Sequence, residues 1–215
     1  MKALRILITA GPTREFIDPI RFISNRSSGK MGYALAEAAR AAGARVTLVS
    51  GPTALTPPKG VTFVPVTTAE EMGEAVLKLY PSCDIVIMAA AVCDFRPKIV
   101  ARRKIKKQTF TGRLELVPTM DILVELGKRK REQFVVRFAA ETDNLVRNAC
   151  EKLQRKGLDL IVANDASAME AETNKVLIIG RDGSREQLPE MSKSKVARAI
   201  VRRVLRLATT PTSCV

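Results

Sequence analysis

The sequence has no histidine, no tryptophan and only four cysteines among its 215 residues. Without histidine there is no Ser-His-Asp relay and no imidazole to bind a metal. Cys83, Cys93, Cys150 and Cys214 form no Cys-x-x-Cys pair, which argues against a thiolate zinc site and a disulfide framework. Aromatic residues make up 4%, too few to build base-stacking platforms for nucleic acid. No apolar run approaches the ~18 residues of a membrane helix. Met1-Lys2-Ala3 leads straight into a strand-like run with no secretion signal, so a reducing cytoplasm is the expected setting.

What is present is ordinary globular material, 46% apolar and 27% charged, enough for one α/β domain over residues 1–215. The charge is not ordinary. The 36 basic against 22 acidic residues leave a net +14, which calls for polyanionic or phosphorylated partners. Two segments without any acid concentrate it. Ala101–Arg113 carries Arg102, Arg103, Lys104, Lys106, Lys107 and Arg113; Ser192–Arg206 carries Lys193, Lys195, Arg198, Arg202, Arg203 and Arg206. The second reads as the solvated face of a helix whose other side bears Val196, Ile200, Val204 and Leu207.

Apolar runs of strand length alternate with helical periods. Strands are expected at Leu4–Ala10, Arg45–Val49, Val61–Val66, Asp84–Ala91, Phe134–Ala139 and Leu158–Ala163. Helices are expected at Lys30–Ala42, from Thr68 to about Leu79, near Asp121–Arg131 and at Asp143–Lys156. Thr68 and Glu71 stand at capping-box distance, and Ala34, Ala38, Ala41 and Ala42 suit close packing on a sheet. Lys175–Ile179 and Arg185–Leu188, joined through Asp182-Gly183, read as a small hairpin. The pattern predicts a three-layer, doubly wound, mainly parallel sheet of Rossmann-like kind. Gly11–Gly29 and Val92–Pro118 carry no period, and TAGPT at Thr9–Thr13 faintly echoes LVSGPT at Leu48–Thr53.

Ligands in such sheets bind beyond the carboxyl ends of the strands, where Gly11–Gly32, Ser50-Gly51-Pro52, Val92-Cys93-Asp94, Glu141-Thr142 and Asn164-Asp165 fall. Ser24 to Gly32 opens a helix with hydroxyls and glycine amides, a cradle for an anion or simply a helix start. It is neither a Walker A loop nor Gly-x-Gly-x-x-Gly. Asn25 offers a neutral amide able to donate to a developing oxyanion. Lys104-Ile105-Lys106-Lys107 could close over a triphosphate or stand free in solvent. Lys152 and Lys156, one turn apart on a helix, could hold another phosphate or a base, or as an isolated pair read as surface charges. Asp94, Asp121 and Asp165 could serve a ribose, a base or Mg²⁺, or merely a turn or cap.

Five segments together resemble the phosphopantothenate–cysteine ligase (phosphopantothenoylcysteine synthetase) family: ILITAGPTREFIDPIRFISNRSSGKMG at Ile6–Gly32, AAAVCDFRP at Ala89–Pro97, RKIKK at Arg103–Lys107, FAAET at Phe138–Thr142 and GLDLIVANDAS at Gly157–Ser167. The resemblance implies a ligase of coenzyme A biosynthesis, in which the carboxylate of 4′-phosphopantothenate attacks a nucleoside triphosphate and cysteine then displaces the nucleotide. It implies CTP as co-substrate with Mg²⁺ or Mn²⁺, with ATP as the alternative, and a homodimer. By matched position, Asn25 handles the acyl-nucleotide and Lys104 serves activation. Arg21 lies at the dimer contact near the substrate, Ser27, Ser28 and Gly29 form the substrate-phosphate loop, and Ala90 lines the same pocket. Gly11, Asp94, Lys104, Thr119, Met120, Asp121, Ile122, Phe138, Lys152 and Lys156 fall to the nucleotide. The C-terminal hairpin is expected near the dimer contact.

Many bacterial members carry a flavin-dependent decarboxylase ahead of this domain. This sequence begins at the synthetase strand, as either a stand-alone ligase or a piece of a larger protein would; no flavin is expected on this chain, and a separate flavin-dependent decarboxylase is a candidate partner. Met120 stands where the family has Pro, Arg137 where Gly is common, and Cys93 where Ala is usual. A basic nucleic-acid-binding protein and an NAD(P)-dependent oxidoreductase are the alternative readings, one resting on charge and the other on fold alone; nucleic acid and membrane are not expected partners.

Overall fold

The computed structural model describes residues 3–141, 153, 156–165 and 172–209. The strands of its main sheet are β1 (Arg5–Ala10), β4 (Arg45–Ser50), β5 (Thr62–Pro65), β6 (Ile85–Met88), β9 (Phe134–Glu141), β10 (Leu160–Asp165), β11 (Thr173–Gly180) and β12 (Arg185–Ser192). Their order is β12-β11-β10-β9-β6-β1-β4-β5, with β10, β9, β6, β1, β4 and β5 mutually parallel and β11 and β12 antiparallel at one edge. Counted in chain order, the parallel part reads 3-2-1-4-5-6, the doubly wound order of dinucleotide-binding folds. The C-terminal hairpin is thus not a small appendage: its two strands extend the central sheet.

Three layers follow from which side each apolar residue takes. On β1, Ile6, Ile8 and Ala10 face one cluster and Leu7 the opposite one, the period of two that a strand buried on both faces requires. Helices α1 (Lys30–Ala41) and α4 (Lys193–Thr209) cover the first face; α2 (Ala69–Leu79) and α3 (Ile122–Arg129) cover the second. Thr68 and Glu71 form the expected capping box on α2, and Asp121 caps α3 by accepting from Val124 N at 3.1 Å. Of the alanines expected to pack on the sheet, Ala38 is buried and Ala34 half-buried, and Ala36 and Ala39 beside them are fully buried. Ala41 and Ala42 are exposed, because α1 turns its buried side toward both the sheet and α4. The helix expected at Asp143–Lys156, with Lys152, lies outside the described residues but for Leu153 and Lys156.

The two stretches without sequence period contain short strands. β2 (Arg14–Phe16) pairs with β3 (Phe22–Ser24), and β7 (Phe95–Pro97) with β8 (Leu116–Pro118), each pair a two-stranded sheet. The TAGPT and SGPT echo is also spatial. Ala10 and Ser50 are register partners, so both segments leave neighbouring strands side by side, with Gly51 N donating to Ala10 O at 3.0 Å.

Gly32 sets how closely α1 lies on β1. A Cβ there would stand 2.5 Å from Ala10 Cβ and 2.9 Å from its Cα. Alanine normally favours a helix by ~1 kcal/mol over glycine. Here Gly32→Ala is expected instead to destabilise by about 1–3 kcal/mol, because backbone must move. Urea unfolding of the variant checks the sign.

Candidate active site

The strand order reverses between β1 and β6, and the segments leaving those strands diverge there into a crevice. One cleft of about 280 Å³ is lined by Asn25, Ser27, Ser28, Gly29, Lys30 and Gly32 on one side and by Ala89 to Val92, Asp94, Arg137 and Phe138 on the other. Gly29 takes φ +78°, a conformation costly for other residues, and stands just ahead of α1 with no side chain capping the helix. The first N–H groups of α1 are therefore left for a ligand. Ser27 Oγ accepts from Gly29 N at 3.3 Å, folding the loop upon itself. Asn25 Nδ2 donates to Ala91 O at 3.0 Å and to Cys93 Sγ at 3.9 Å, which fixes the amide at the edge of the cleft.

A second cleft of about 400 Å³ adjoins the first. It is lined by Met88, Phe95, Thr119, Met120, Asp121, Ile122 and Lys156, and shares Ala90, Val92, Asp94, Arg137 and Phe138 with its neighbour. Thr119 is held by both chain directions: its Oγ1 donates to Cys93 O at 2.6 Å and its N to Asp94 O at 2.9 Å. Lys156 is buried and reaches Asp121 Oδ2 at 2.5 Å, so it is no surface charge. Burial alone would raise the Asp121 carboxyl, but the Lys156 ammonium and the Val124 N–H hold it below the usual carboxylate value.

Lys156→Met removes that support. The expected loss is about 1–2 kcal/mol at neutral pH, less than the ~3–5 of a fully buried pair because Asp121 is half in solvent. The contribution is present above the unfolded carboxylate pKa of about 3.9 and lost as pH falls through the lower folded value. Parent and variant unfolding curves should therefore converge in acid.

Volume does not choose this end of the sheet, since a hollow of about 910 Å³ opens among Arg5, Asp84, Lys130 and Asp159. That one lies at the amino ends of the strands, where Arg5–Asp84 and Lys130–Asp159 ion pairs stitch the termini of β1, β6, β9 and β10.

Thr119, Met120, Asp121, Ile122, Phe138, Asp94 and Lys156 come together in the second cleft, and Asn25, Ser27, Ser28, Gly29 and Ala90 in the first. Lys152 is outside the described residues. Gly11 lines neither cleft: it packs beneath Gly29 and against Gly51 O, and its own carbonyl accepts from Ala91 N at 2.9 Å. Arg21 and Lys104 also stand off both clefts, although they are neighbours of each other.

Asp18, fully buried, ties them. Its carboxylate accepts from Ile20 N and Arg21 N at 2.9 Å, from Arg21 Nε at 2.9 Å and from Ile105 N at 3.2 Å. Arg21 Nη2 in turn donates to Ile105 O at 2.8 Å, and Ala101 N to Ile17 O at 3.0 Å. Burial by itself would raise the Asp18 carboxyl, but Arg21 and the three backbone N–H groups hold it well below the ordinary range.

Four polar or charged lining residues were not singled out as site residues in the sequence: Lys30, Arg137, Asn174 and Lys193. Arg137 reaches into both clefts from β9, and its Nη1 is buried without a hydrogen-bond partner. Cys93 is a buried thiol whose Sγ lies 3.5 Å from Thr13 O, and burial pushes its pKa up, which suits packing and not attack.

Fold and site together define a class: a doubly wound α/β domain with a divided, cation-bearing cleft at the switch point of its sheet. The chain belongs to the family described as the DNA/pantothenate metabolism flavoprotein C-terminal domain, whose sequence model matches residues 1–207. It is 52% identical over 213 residues to the coenzyme A biosynthesis bifunctional protein CoaBC of Bacillus subtilis (strain 168), a match covering 97% of this chain and 52% of that protein. The chain thus spans about half the length of the curated relatives it matches. It superposes on a crystal structure of the C-terminal domain of CoaBC with TM-score 0.82 and 46% identity, covering 96% of this chain and 98% of that one. A Cab2 mutant in complex with phosphopantothenate-cysteine shares the fold at TM-score 0.77 and 18% identity, covering 96% of this chain and 89% of that one.

Proposed function

We propose that this domain joins 4′-phosphopantothenate to L-cysteine through an acyl-nucleotide intermediate, with CTP as the nucleotide and ATP as the alternative. The observation that carries the reading is the divided cleft: two hollows meet at a common wall of Ala90, Val92, Asp94, Arg137 and Phe138. Such a wall lets two phosphorylated substrates approach from opposite sides. The relatives' place in coenzyme A biosynthesis supports it.

In this reading the first cleft holds phosphopantothenate against Ser27, Ser28 and Gly29, and the second holds ribose and base between Thr119, Asp121, Phe138 and Lys156. The substrate carboxylate attacks the α-phosphorus at the common wall, and the bond to pyrophosphate breaks with its electron pair. The cysteine amine then adds to the acyl carbon, and the nucleoside monophosphate departs. Asn25 donates to the acyl oxygen as charge builds there. Orientation and electrostatics carry both steps, so a chain without histidine suffices. A divalent cation fits only as one shared between Asp94 and substrate phosphates, since the described residues hold no cluster of three acidic, cysteine or histidine side chains. Bound so, it supplies charge neutralisation.

Exposed apolar side chains support the homodimer. Ile20, Phe22, Phe95, Ile99, Val100 and Leu116 gather on the β2–β3 and β7–β8 hairpins, beside Arg21 and the basic loop. The C-terminal hairpin, whose β12 forms the outer edge of the central sheet, is the other element proposed near that contact. No described helix is long and apolar enough to cross a membrane, and Cys83 and Cys93 are free thiols, as a reducing cytoplasm would keep them. A flavin-dependent decarboxylase is the proposed partner activity, in keeping with the bifunctional relatives.

The test is pyrophosphate release with 4′-phosphopantothenate, Mg²⁺ and CTP or ATP in parallel, with and without cysteine. Release that requires phosphopantothenate, and an amide product that requires cysteine, is the expected result. No release with either nucleotide would defeat the reading.

A further inference from the structure

One wall of the second cleft is a methionine whose far end rests on a glycine. Met120 lines that cleft and is 36% exposed, while its tip lies against Gly73, buried on the same side of α2 as Met72 and Val76. A Cβ on Gly73 would stand 2.2 Å from Met120 Cε, 3.8 Å from Met120 Sδ and 3.6 Å from Ile122 Cγ1. The last two are ordinary contacts, and Gly73 does not take a positive φ. Only the methionine methyl therefore occupies the space that a side chain at position 73 would need.

The surroundings decide where a displaced Met120 would go. Thr119 donates to Cys93 O and Asp94 O, and Asp121 accepts from Val124 N and Lys156 Nζ. The backbone at 120 is clamped from both sides, so the freedom left to Met120 lies in its own side-chain torsions, which in methionine are unbranched and soft. Inward, Met72, Val76, Ile122 and Leu126 are packed in one core cluster and leave no room. The open side is the cleft that Met120 already lines.

We propose that Gly73 is a positioning residue for Met120 and through it sets nucleotide specificity: its missing side chain is the notch that holds Met120 back and keeps the second cleft open to a base. The proposal rests on the ligase reading for the identity of that ligand, a pyrimidine or purine nucleoside phosphate. A methyl added at Gly73 meets the end of a flexible chain and not backbone, so Met120 yields and α2 does not. The clash is thereby passed on to the bound base, and the larger purine suffers more from it than the pyrimidine.

Calorimetric titration of the full chain with CMP and with AMP reads the notch without any turnover. Gly73→Ala should fold, since alanine favours a helix over glycine. It is expected to weaken CMP about tenfold and AMP further, with 4′-phosphopantothenate, bound in the first cleft, changed less than about twofold. In a Met120→Ala background the same Gly73→Ala change should move either mononucleotide by less than about twofold, because the side chain that carries the clash is gone. Met120→Ala alone should shift the CMP-to-AMP affinity ratio toward AMP. Parent-like affinities in Gly73→Ala overturn the proposal. So does a loss that persists in the Met120→Ala background, which would mean that α2 had moved, and so does a Gly73→Ala chain that cannot fold or a parent that binds neither mononucleotide. The ligase assay is scored separately. A Gly73 effect on CMP in a protein that makes no amide would sink the ligase reading and spare the notch; normal amide formation with unchanged affinities would do the reverse.

Discussion

Changing Lys104 to glutamine is expected to lower pyrophosphate release by about a hundred- to a thousandfold, the scale of removing one preorganised charge from a phosphoryl or acyl transition state. The fold should not notice. Lys104 is exposed, and substitutions at such positions typically move stability by less than about 0.5 kcal/mol. What makes the prediction sharp is distance from the chemistry. Lys104 lines neither cleft in the free domain, so its charge can act only if the basic loop closes or if a second copy presents it. Because that term belongs to the transition state, KM for the nucleotide should change far less than kcat. Steady-state pyrophosphate release, with thermal unfolding alongside, tests both halves. Parent-like turnover would remove the loop from the mechanism.

The second large effect is expected at Asn25. Asn25→Asp keeps the size of the side chain and replaces its donor by an acceptor. It also sets a carboxylate against Ala91 O, where the amide nitrogen now stands at 3.0 Å. Activation draws on the phosphates and should proceed, whereas amide formation needs the donor at the acyl oxygen. The variant should therefore slow the second step by about a hundred- to a thousandfold and accumulate the acyl-nucleotide, visible by mass spectrometry of quenched mixtures. Amide formed at the parent rate would take Asn25 out of the reaction.

The long elements were legible because they repeat a period. Leu4–Ala10 is apolar but for Arg5 and Thr9, close to what a twice-covered strand requires, and Thr68, Glu71 and Asp121 announce helix starts by chemistry that depends on a few neighbours only. Strands of three residues, as at Arg14–Phe16 and Phe95–Pro97, hold no period to detect; each pairs with an equally short strand, and the segments just ahead of them are tied across the chain, as when Cys93 N reaches Thr13 Oγ1. The second cleft was readable by resemblance of its segments, and the structure brings those segments together.

The missed lysine left a mark. Lys193 falls three residues before Val196 on the stripe that continues through Ile200 and Val204, so a helical wheel puts it on the buried face. Its six-cation neighbourhood hid it in a pattern that fits Lys195, Arg198, Arg202 and Arg206, all exposed. Asn174 likewise sits in step with the inward Val176 and Ile178 of β11. Arg137 was visible as a departure from the family pattern, but its reach into both clefts depends on β9 lying beside β6.

The Asp18 clasp has a consequence for ionic strength. Arg102, Arg103, Lys104, Lys106 and Lys107 repel one another through water, and salt weakens that repulsion within a Debye length of about 10 Å at 0.1 M. The carboxylate that anchors Ile105 is out of solvent and feels the same ions far less. Moderate salt thus screens what drives the loop away while sparing what holds it. A segment this cationic would ordinarily loosen its grip on an anionic ligand as salt rises, yet here the same salt keeps the arm folded against the body of the protein.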